Sequence, residues 1–338
     1  MRAGPNLAMV VLCLAAVPRP VAGAGDGAPV RREEARYLMG TLALVAAEAA
    51  DGPGAEVALA AAWAALERVD SLMSTWRDDS DLARVNAGAA AAPVAVDPET
   101  AGLVAAALDL AAASGGAFDP TVLPLMRAWG LRGGEPRVPV GAELAGLLAV
   151  TGARLVQVDT LAATIAFARP GVALDLGGIA KGHALDQARA AMLAAGAVGG
   201  RLDLGGNLLV FGTGVGDSVG VVAPDDPGRI VATLAFAAGS VATSGQYERF
   251  VEIDGRPRGH ILDPRSGQPV AQVGSATVAA PTGLLADALA TAVFVLGPRC
   301  GPALAARFAG TTCVFVVPDG AGGWTVLRTG ASAPARSP

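Results

Sequence analysis

The chain has 338 residues, room for one large or two ordinary domains with a substantial core. Hydrophobic residues make up 52% and charged residues only 16%, with 30 acidic against 25 basic side chains and a net charge of -5. That balance, with no basic patch, gives no electrostatic footprint for nucleic acid.

The N-terminus reads as a targeting segment. Arg2 supplies a short positive region, Leu7 to Val17 an apolar run too short to span a bilayer, and Ala22-Gly23-Ala24 a small-x-small cleavage signal. The expectation is export, with residues 1–24 removed as a signal peptide; the alternative is an uncleaved anchor. Cys13 follows Leu12 inside the apolar run, a poor context for lipid attachment. Beyond the leader, no stretch reaches the about 18 uninterrupted apolar residues of a transmembrane helix. Cys300 and Cys313 remain, either paired in an oxidising compartment or separate buried thiols, and no Cys/His metal pattern occurs.

Residues 25–35 form a polar, glycine-rich lead-in, and Tyr37 to Glu48 reads as the first strand. Ala55 to Val69 is a helix, with Val57, Ala60, Trp63 and Leu66 at helical spacing. Residues 71–88 are a polar loop with a short helix and an Asn-Ala-Gly stop. Pro98 to Ala113 is a second helix, with Pro98 and Glu99 in its first turn. Ser114 to Pro120 turns sharply into TVLPLMRAWG, and 131–141 is a Gly- and Pro-rich surface loop. A short helix over 142–150 and strands at 154–158 and 163–167 follow.

The stretch that organises the chain is Val172 to Asp186, VALDLGGIAKGHALD. Val172, Leu174 and Leu176 alternate as in a strand. Gly177-Gly178 allows a tight turn and a close ligand approach, and a helix runs from about Ile179 to Ala195, with Gly196 as its C-cap. A glycine turn opening a helix suits a phosphate. Of the 25 basic residues only Lys181 is a lysine, and it lies in that helix's first turn. It is either a site where Arg cannot substitute or an ordinary helix residue.

Leu202 to Gly206 repeats the LDLGG of Leu174 to Gly178, a possible internal repeat of little weight at five residues. Strands follow at 208–211, 219–223 and 230–235, then a hairpin about Asp254-Gly255 and a second turn over Asp263 to Gly267. Val273 to Ala279 is a strand, and Leu284 to Leu296 a helix stopped by Gly297-Pro298. A helix at 302–309 and strands at 312–317 and 324–328 close the fold; the tail from Ala331 is expected to be disordered.

Chemistry concentrates in four places: Asp175 with Gly177, Gly178 and Lys181; Asp287 and Thr291; Gly259 to Pro264; and Ala117-Phe118-Asp119. Asp287 and Thr291, four apart, share a helix face as two hard oxygen donors suited to Mg²⁺, or else form a polar face in which Thr291 bonds back to a carbonyl. His260 is a general base or a turn residue. Asp119 caps the next segment or belongs to a ligand-facing loop.

Together with STWRDDSDLARVN, the segments GAFDPTV, ALDLGGIAKG, VATSGQYERF, HILDPRSGQPV and ADALATAVF strongly resemble the ApbE family of FAD:protein FMN transferases, from about Tyr37 to Gly297. The resemblance implies an α+β fold: a single compact ApbE-like (T-fold-related) domain over 25–330, with mixed, mostly antiparallel sheets flanked by helices. It implies that Met39 and Trp76 line the FAD site, that Ala117, Phe118 and Asp119 contact the flavin nucleotide, and that Asp175 and Lys181 face its polar part with Ile261 nearby. Mg²⁺ is expected on Asp287, Thr291 and the backbone carbonyl of Gly178, with His260 and Asp175 catalytic and His260 the base. Trp76 and His183 stand where Tyr is common. Ala290 replaces a carboxylate that some members use for a second metal, and Asn207 stands where an acidic residue is also seen.

The implied reaction is transfer of FMN from FAD to a Thr or Ser of an exported acceptor protein, with AMP released, and the expected location of this chain is the periplasm. The alternatives are FAD hydrolysis by water or non-catalytic FAD binding in the periplasm. A Rossmann reading fails for want of a G-x-G-x-x-G after a strand, and Lys181 lacks P-loop glycine spacing.

Overall fold

The computed structural model describes residues 28–75, 77–212, 217–236, 238–246, 250–271 and 274–329. The expected leader (1–24), Trp76 and the tail from 331 lie outside the described residues.

The chain starts with an antiparallel hairpin, β1 (Val30–Leu38) and β2 (Thr41–Ala49). This corrects the expected lead-in over 25–35 and the single strand over Tyr37–Glu48. Met39 and Gly40 both take positive φ, +50° and +74°, the two-residue turn that matches the twist of a hairpin. α1 (Gly52–Met73) follows, capped by Asp51, whose side chain accepts the Gly54 N–H at 2.7 Å. Next come α2 (Asp81–Gly88), β3 (Val94–Ala95) and α3 (Pro98–Ala113). α3 has the expected bounds because its start is written locally: Asp97 caps the Glu99 N–H and Pro98 sits in the first turn.

α4 (Leu123–Ala128), α5 (Gly141–Ala149), β4 (Val156–Asp159) and β5 (Thr164–Phe167) lead to the organising segment. Residues 172–176 are not a strand there, contrary to expectation. The backbone of Leu174 is instead bound at both ends by one side chain. Its N–H donates to Asn86 Oδ1 at 2.7 Å, and its carbonyl accepts from Asn86 Nδ2 at 2.9 Å. Asp175 N–H donates to the Pro120 carbonyl at 2.8 Å. A buried extended segment needs its polar groups satisfied, and a side chain serves where no neighbouring strand is present.

α6 (Ala180–Ala194) follows with Ile179 at its N-cap, and Gly196 beyond it has φ +89°. β6 (Gly199–Leu204), β7 (Asn207–Gly212), β8 (Asp217–Ala223), β9 (Asp226–Phe236) and β10 (Gly239–Gly245) come next. Two short hairpins follow, β11 (Phe250–Ile253) with β12 (Arg256–Gly259) and β13 (Leu262–Asp263) with β14 (Gln268–Pro269). The first turns at Asp254-Gly255 as expected, both at positive φ. β15 (Ser275–Ala280), α7 (Gly283–Ala305), β16 (Thr312–Pro318) and β17 (Trp324–Thr329) complete the chain. The two helices expected at 284–296 and 302–309 are joined in α7 across a break at Gly297, whose φ of +72° is not helical.

Among the described residues the main sheet runs β1-β2-β6-β7-β10-β15-β16-β17, every neighbouring pair antiparallel. Its two faces bury different cores. One carries Ala43, Val45, Leu202, Leu209, Phe211, Ala242 and Val278 against α1, α6 and α7. The other carries Leu208, Val210, Val241, Val314 and Val316 under the β8–β9 hairpin. A third cluster joins Leu125, Trp129, Ile253 and Leu262 at the rim, where Trp129 Nε1 donates to the Gly267 carbonyl at 2.8 Å.

α7 is long and apolar enough to cross a membrane by length and composition, with a mean hydropathy of 1.4. Here it is a core helix broken at Gly297-Pro298 and packed on β10 and β15. Cys300 and Cys313 are unpaired: Cys300 is exposed, and Cys313 is buried with its Sγ 2.8 Å from Thr329 Oγ1. Burial pushes the Cys313 thiol above its ordinary value.

Candidate functional site

The site forms where α6 and α7 begin, at the helix side of the sheet. Gly177 and Gly178 do not take the positive φ that a tight glycine turn would require. They are there for space. A Cβ on Gly177 would lie 2.8 Å from both Arg132 Nη2 and Asp175 Oδ1, and one on Gly178 would lie 3.2 Å from Thr291 Oγ1 and 3.3 Å from Phe118 Cε2. Three distant segments, those of Phe118, Arg132 and Thr291, thus meet the glycine pair.

Asp175 is buried. Its Oδ1 accepts the Gly177 N–H at 2.8 Å and its Oδ2 forms an ion pair with Arg132 Nη2 at 2.7 Å. A charge taken out of water needs such a partner. Arg132 in turn lines a cavity of about 120 Å³ together with Met126, Leu131, Phe250, Val251 and His260. The structure therefore brings His260 and the Arg132–Asp175 pair to one place.

The loop that carries His260 is held by Gln246. Its Nε2 donates to the carbonyls of Ile261 (3.0 Å) and Val270 (2.9 Å), and its Oε1 accepts the Ile261 N–H at 3.4 Å. Gly259 lies so close to this amide that a Cβ there would overlap Gln246. Ile261 itself is buried. Arg265, paired with Asp263, passes its stem over Gly116, so the HILDP loop covers the turn before Ala117.

Ala117 and Phe118 are buried, Phe118 against Gly178. Asp119 serves the fold. Its Oδ1 accepts from Thr121 N–H (2.9 Å) and Thr121 Oγ1 (2.6 Å), and its Oδ2 from Ala153 N–H (2.9 Å). Met39 lies in the β1–β2 turn, packed against the main core. The β6–β7 turn adjoins it, with Gly205 N–H bonded to the Leu42 carbonyl at 3.2 Å. Lys181 is half-buried in the first turn of α6, and its charge acts on Asp203, whose carboxyl burial pushes up and Arg201 and Lys181 pull back down. His183 turns to Glu99 instead, Nε2 to Oε1 at 2.9 Å.

Asp287 and Thr291 share one face of α7, as their spacing requires. Asp287 is buried, and its Oδ2 accepts the Gly182 N–H at 2.9 Å. Thr291 Oγ1 lies 3.5 Å from Ser244 Oγ. A carboxylate, a hydroxyl and the backbone of Gly178 make a small set of hard oxygen donors. Among the described residues no three or more His, Cys, Asp or Glu gather into a cluster. That donor chemistry fits Mg²⁺, which takes few protein ligands and completes its shell with water and phosphate oxygens.

Below this, the two helices meet through glycines. A Cβ on Gly182 or Gly283 would collide with the other's carbonyl. Asp186 accepts the N–H groups of Gly283 (2.7 Å) and Leu284 (2.8 Å). Burial raises the Asp186 carboxyl above its ordinary value against the pull of those amides.

Sequence reasoning gave no role to Asn86, Arg132 or Gln246. Asn86 ends STWRDDSDLARVN and Gln246 lies within VATSGQYERF, but each acts on a residue outside its own segment, which no local pattern marks.

An antiparallel α+β domain whose helix starts carry backbone glycines, hard oxygen donors and an arginine–aspartate pair beside a histidine-lined cavity is the class that fold and site define. This chain belongs to the ApbE family, whose model matches residues 39–315. It is 36% identical over 320 residues to the FAD:protein FMN transferase of Treponema pallidum, covering 88% of each chain. The ApbE protein of Thermotoga maritima has a similar structure, with TM-score 0.79 and 31% identity over 89% of this chain and 97% of that one. The flavinyl transferase ApbE of Pseudomonas stutzeri gives TM-score 0.78 and 33% identity over 89% and 95%.

Proposed function

We propose that this chain is an exported FAD:protein FMN transferase, acting with Mg²⁺ on a Thr or Ser hydroxyl of an acceptor protein and releasing AMP. One observation carries it: Thr291 meets Gly178 and Asp287 meets Gly182 at the start of α6, where Asp175 pairs with Arg132 beside the cavity that His260 lines. Storage of a flavin would need neither the oxygen-donor set nor a base.

In this reading the acceptor oxygen attacks the FMN phosphorus of FAD, the pyrophosphate P–O bond to AMP breaks, and His260 takes the hydroxyl proton. Asp287, Thr291 and the Gly178 carbonyl would hold Mg²⁺, and the ion would supply neutralisation of the charge that develops on the pyrophosphate. Arg132, held by Asp175 at the cavity that His260 lines, would offer a fixed cation to the pyrophosphate. Gln246 keeps His260 oriented by binding the backbone of Ile261, next to it, and tying that to Val270. Phe118 and Ile261 supply apolar walls for the flavin, and Met39 and Lys181 extend the nucleotide-facing surface. The leader motif supports export to the periplasm.

The test is incubation of the full chain with FAD, Mg²⁺ and a candidate acceptor, read by mass spectrometry. Covalent FMN on a Thr or Ser is the expected result. Asp287→Asn should abolish it while substantial FAD binding remains, and Thr291→Val should be milder and recover with excess Mg²⁺. Free FMN and AMP with no adduct would mean hydrolysis instead. Bound, uncleaved FAD would mean storage. Parent rate and metal dependence in Asp287→Asn would overturn the metal site.

A further inference from the structure

Asp186 has no part in the reaction just described, yet it makes two of the shortest bonds between α6 and α7. Its Oδ1 and Oδ2 take the N–H groups of Gly283 and Leu284, the first two amides of α7, at 2.7 and 2.8 Å. Those amides have no partner within their own helix. α7 already has its own cap, since the Thr282 side chain accepts the Leu285 N–H at 3.3 Å. Asp186 therefore does more than start a helix: it decides where on α6 the helix starts.

The exchange is reciprocal. α7 sends Asp287 back to the Gly182 N–H in the first turn of α6. Gly182 and Asp186 are four apart on one helix, and Gly283 and Asp287 four apart on the other. Each helix presents one amide end and one carboxylate to its partner. Where they cross, Gly182 and Gly283 touch through their backbones, with no room for a Cβ on either. Such a joint cannot slide without breaking bonds. Gly178 lies just before α6, and Asp287 and Thr291 lie one and two turns into α7, so the joint sets how the oxygen donors stand to one another.

We propose that Asp186 is a positioning residue for the cation: by clasping the start of α7 to α6, it holds Asp287 and Thr291 against Gly178 in the arrangement that receives Mg²⁺. The inference rests on the metal reading above. A carboxylate suits the role because it offers two acceptors to two N–H groups. An asparagine keeps the volume but turns an NH₂ donor towards one of them.

The test is Mn²⁺ binding to the full chain with FAD present, read by loss of the free-ion paramagnetic resonance signal, beside FAD affinity measured without metal. The proteins are the parent, Asp186→Asn, Asp186→Ala and Asp287→Asn. Both Asp186 variants should raise the Mn²⁺ dissociation constant about tenfold or more, the usual effect of removing a group that orients a ligand. Their metal-free FAD affinity should match the parent. Parent-like Mn²⁺ binding in both overturns the proposal, and so does a parallel loss of metal-free FAD affinity, which would mark general disturbance of the pocket. If Asp186→Ala does not fold, Asp186→Asn decides; if that also fails to fold, Asp186 is structural and the proposal is wrong. Failure of the metal reading itself is distinct: Asp287→Asn then binds Mn²⁺ as the parent does, or the parent binds none, and this inference falls with it.

Discussion

Leu174 to Gly178 and Leu202 to Gly206 are the same five residues, LDLGG, in two settings. At 202–206 the segment ends β6, flanked by β2 and β7, and turns through Gly205 and Gly206 at φ +61° and +89°. Asp203 Oδ1 accepts the N–H of Gly206 three residues on, at 2.9 Å. At 174–178 there is no ladder and no positive φ, and Asp175 Oδ1 accepts from Gly177 two residues on. In the β6 copy glycine provides a turn. In the other it provides room for Arg132, Thr291 and Phe118. What surrounds the backbone, and not its letters, decides which property of glycine is used. Where side chains replace neighbouring strands, the backbone is held at points and leaves space between them.

Removing the point of attachment should have the largest effect. Asn86→Ala strips both bonds from the fully buried Leu174 and should cost about 3 kcal/mol of stability, since each buried unsatisfied group costs about 1–3 kcal/mol. Urea unfolding measures it. Parent stability would mean that 172–176 is held by something other than Asn86.

The glycines should then separate the two copies by kind of damage. Gly177→Ala should leave stability near the parent but cut transfer by about a hundredfold, the usual consequence of displacing a catalytic group by about 1 Å, because its Cβ meets Arg132 and Asp175. Gly205→Ala should do the reverse. It forces an L-residue into a left-handed conformation against Thr41, costing about 2 kcal/mol, with transfer per folded molecule intact. Steady-state transfer and unfolding curves on both variants test the contrast, and matching profiles would erase it.

The smallest effect belongs to Asp203. Burial raises its folded pKa above 3.8, so the folded state holds the proton more tightly than the unfolded chain. Its contribution is favourable below pH 3.8 and is lost as pH rises through the raised value. Asp203→Asn, which can still accept from Gly206, should therefore be slightly more stable than the parent at pH 7 and show no gain below pH 3.8. Equal stability difference at both pH values would exclude a buried charge as the cause.

Much of the fold was legible because its signals are local. The bounds of α3 follow from Pro98 and Glu99 in its first turn, and the β11–β12 turn from Asp254-Gly255. The Met39-Gly40 turn was missed because Met rarely takes positive φ, and nothing in its side chain advertises the turn. The strand expected at 172–176 failed because alternating apolar residues look alike in any buried extended segment, whether its hydrogen bonds go to a strand or to Asn86. The site divides the same way. Contiguous motifs such as Asp175 to Lys181 could be read directly. Arg132, in a Gly- and Pro-rich loop, and Gln246, within VATSGQYERF, are recognised only by the distant groups they hold.

The bonds that build the site also bear on when it can exist. Asn86 and Leu174 are 88 positions apart, Asp186 and Gly283 97, Gly182 and Asp287 105, and Trp129 and Gly267 138. Each such closure costs chain entropy before any contact repays it, and chains dominated by distant pairings fold slowly. During synthesis Gly178 emerges some hundred residues before the helix that must clasp it. A chain halted ahead of α7 has the glycine loop but neither Asp287 nor Thr291 to face it, so on the proposed metal reading the nascent protein would be inert until α7 has docked.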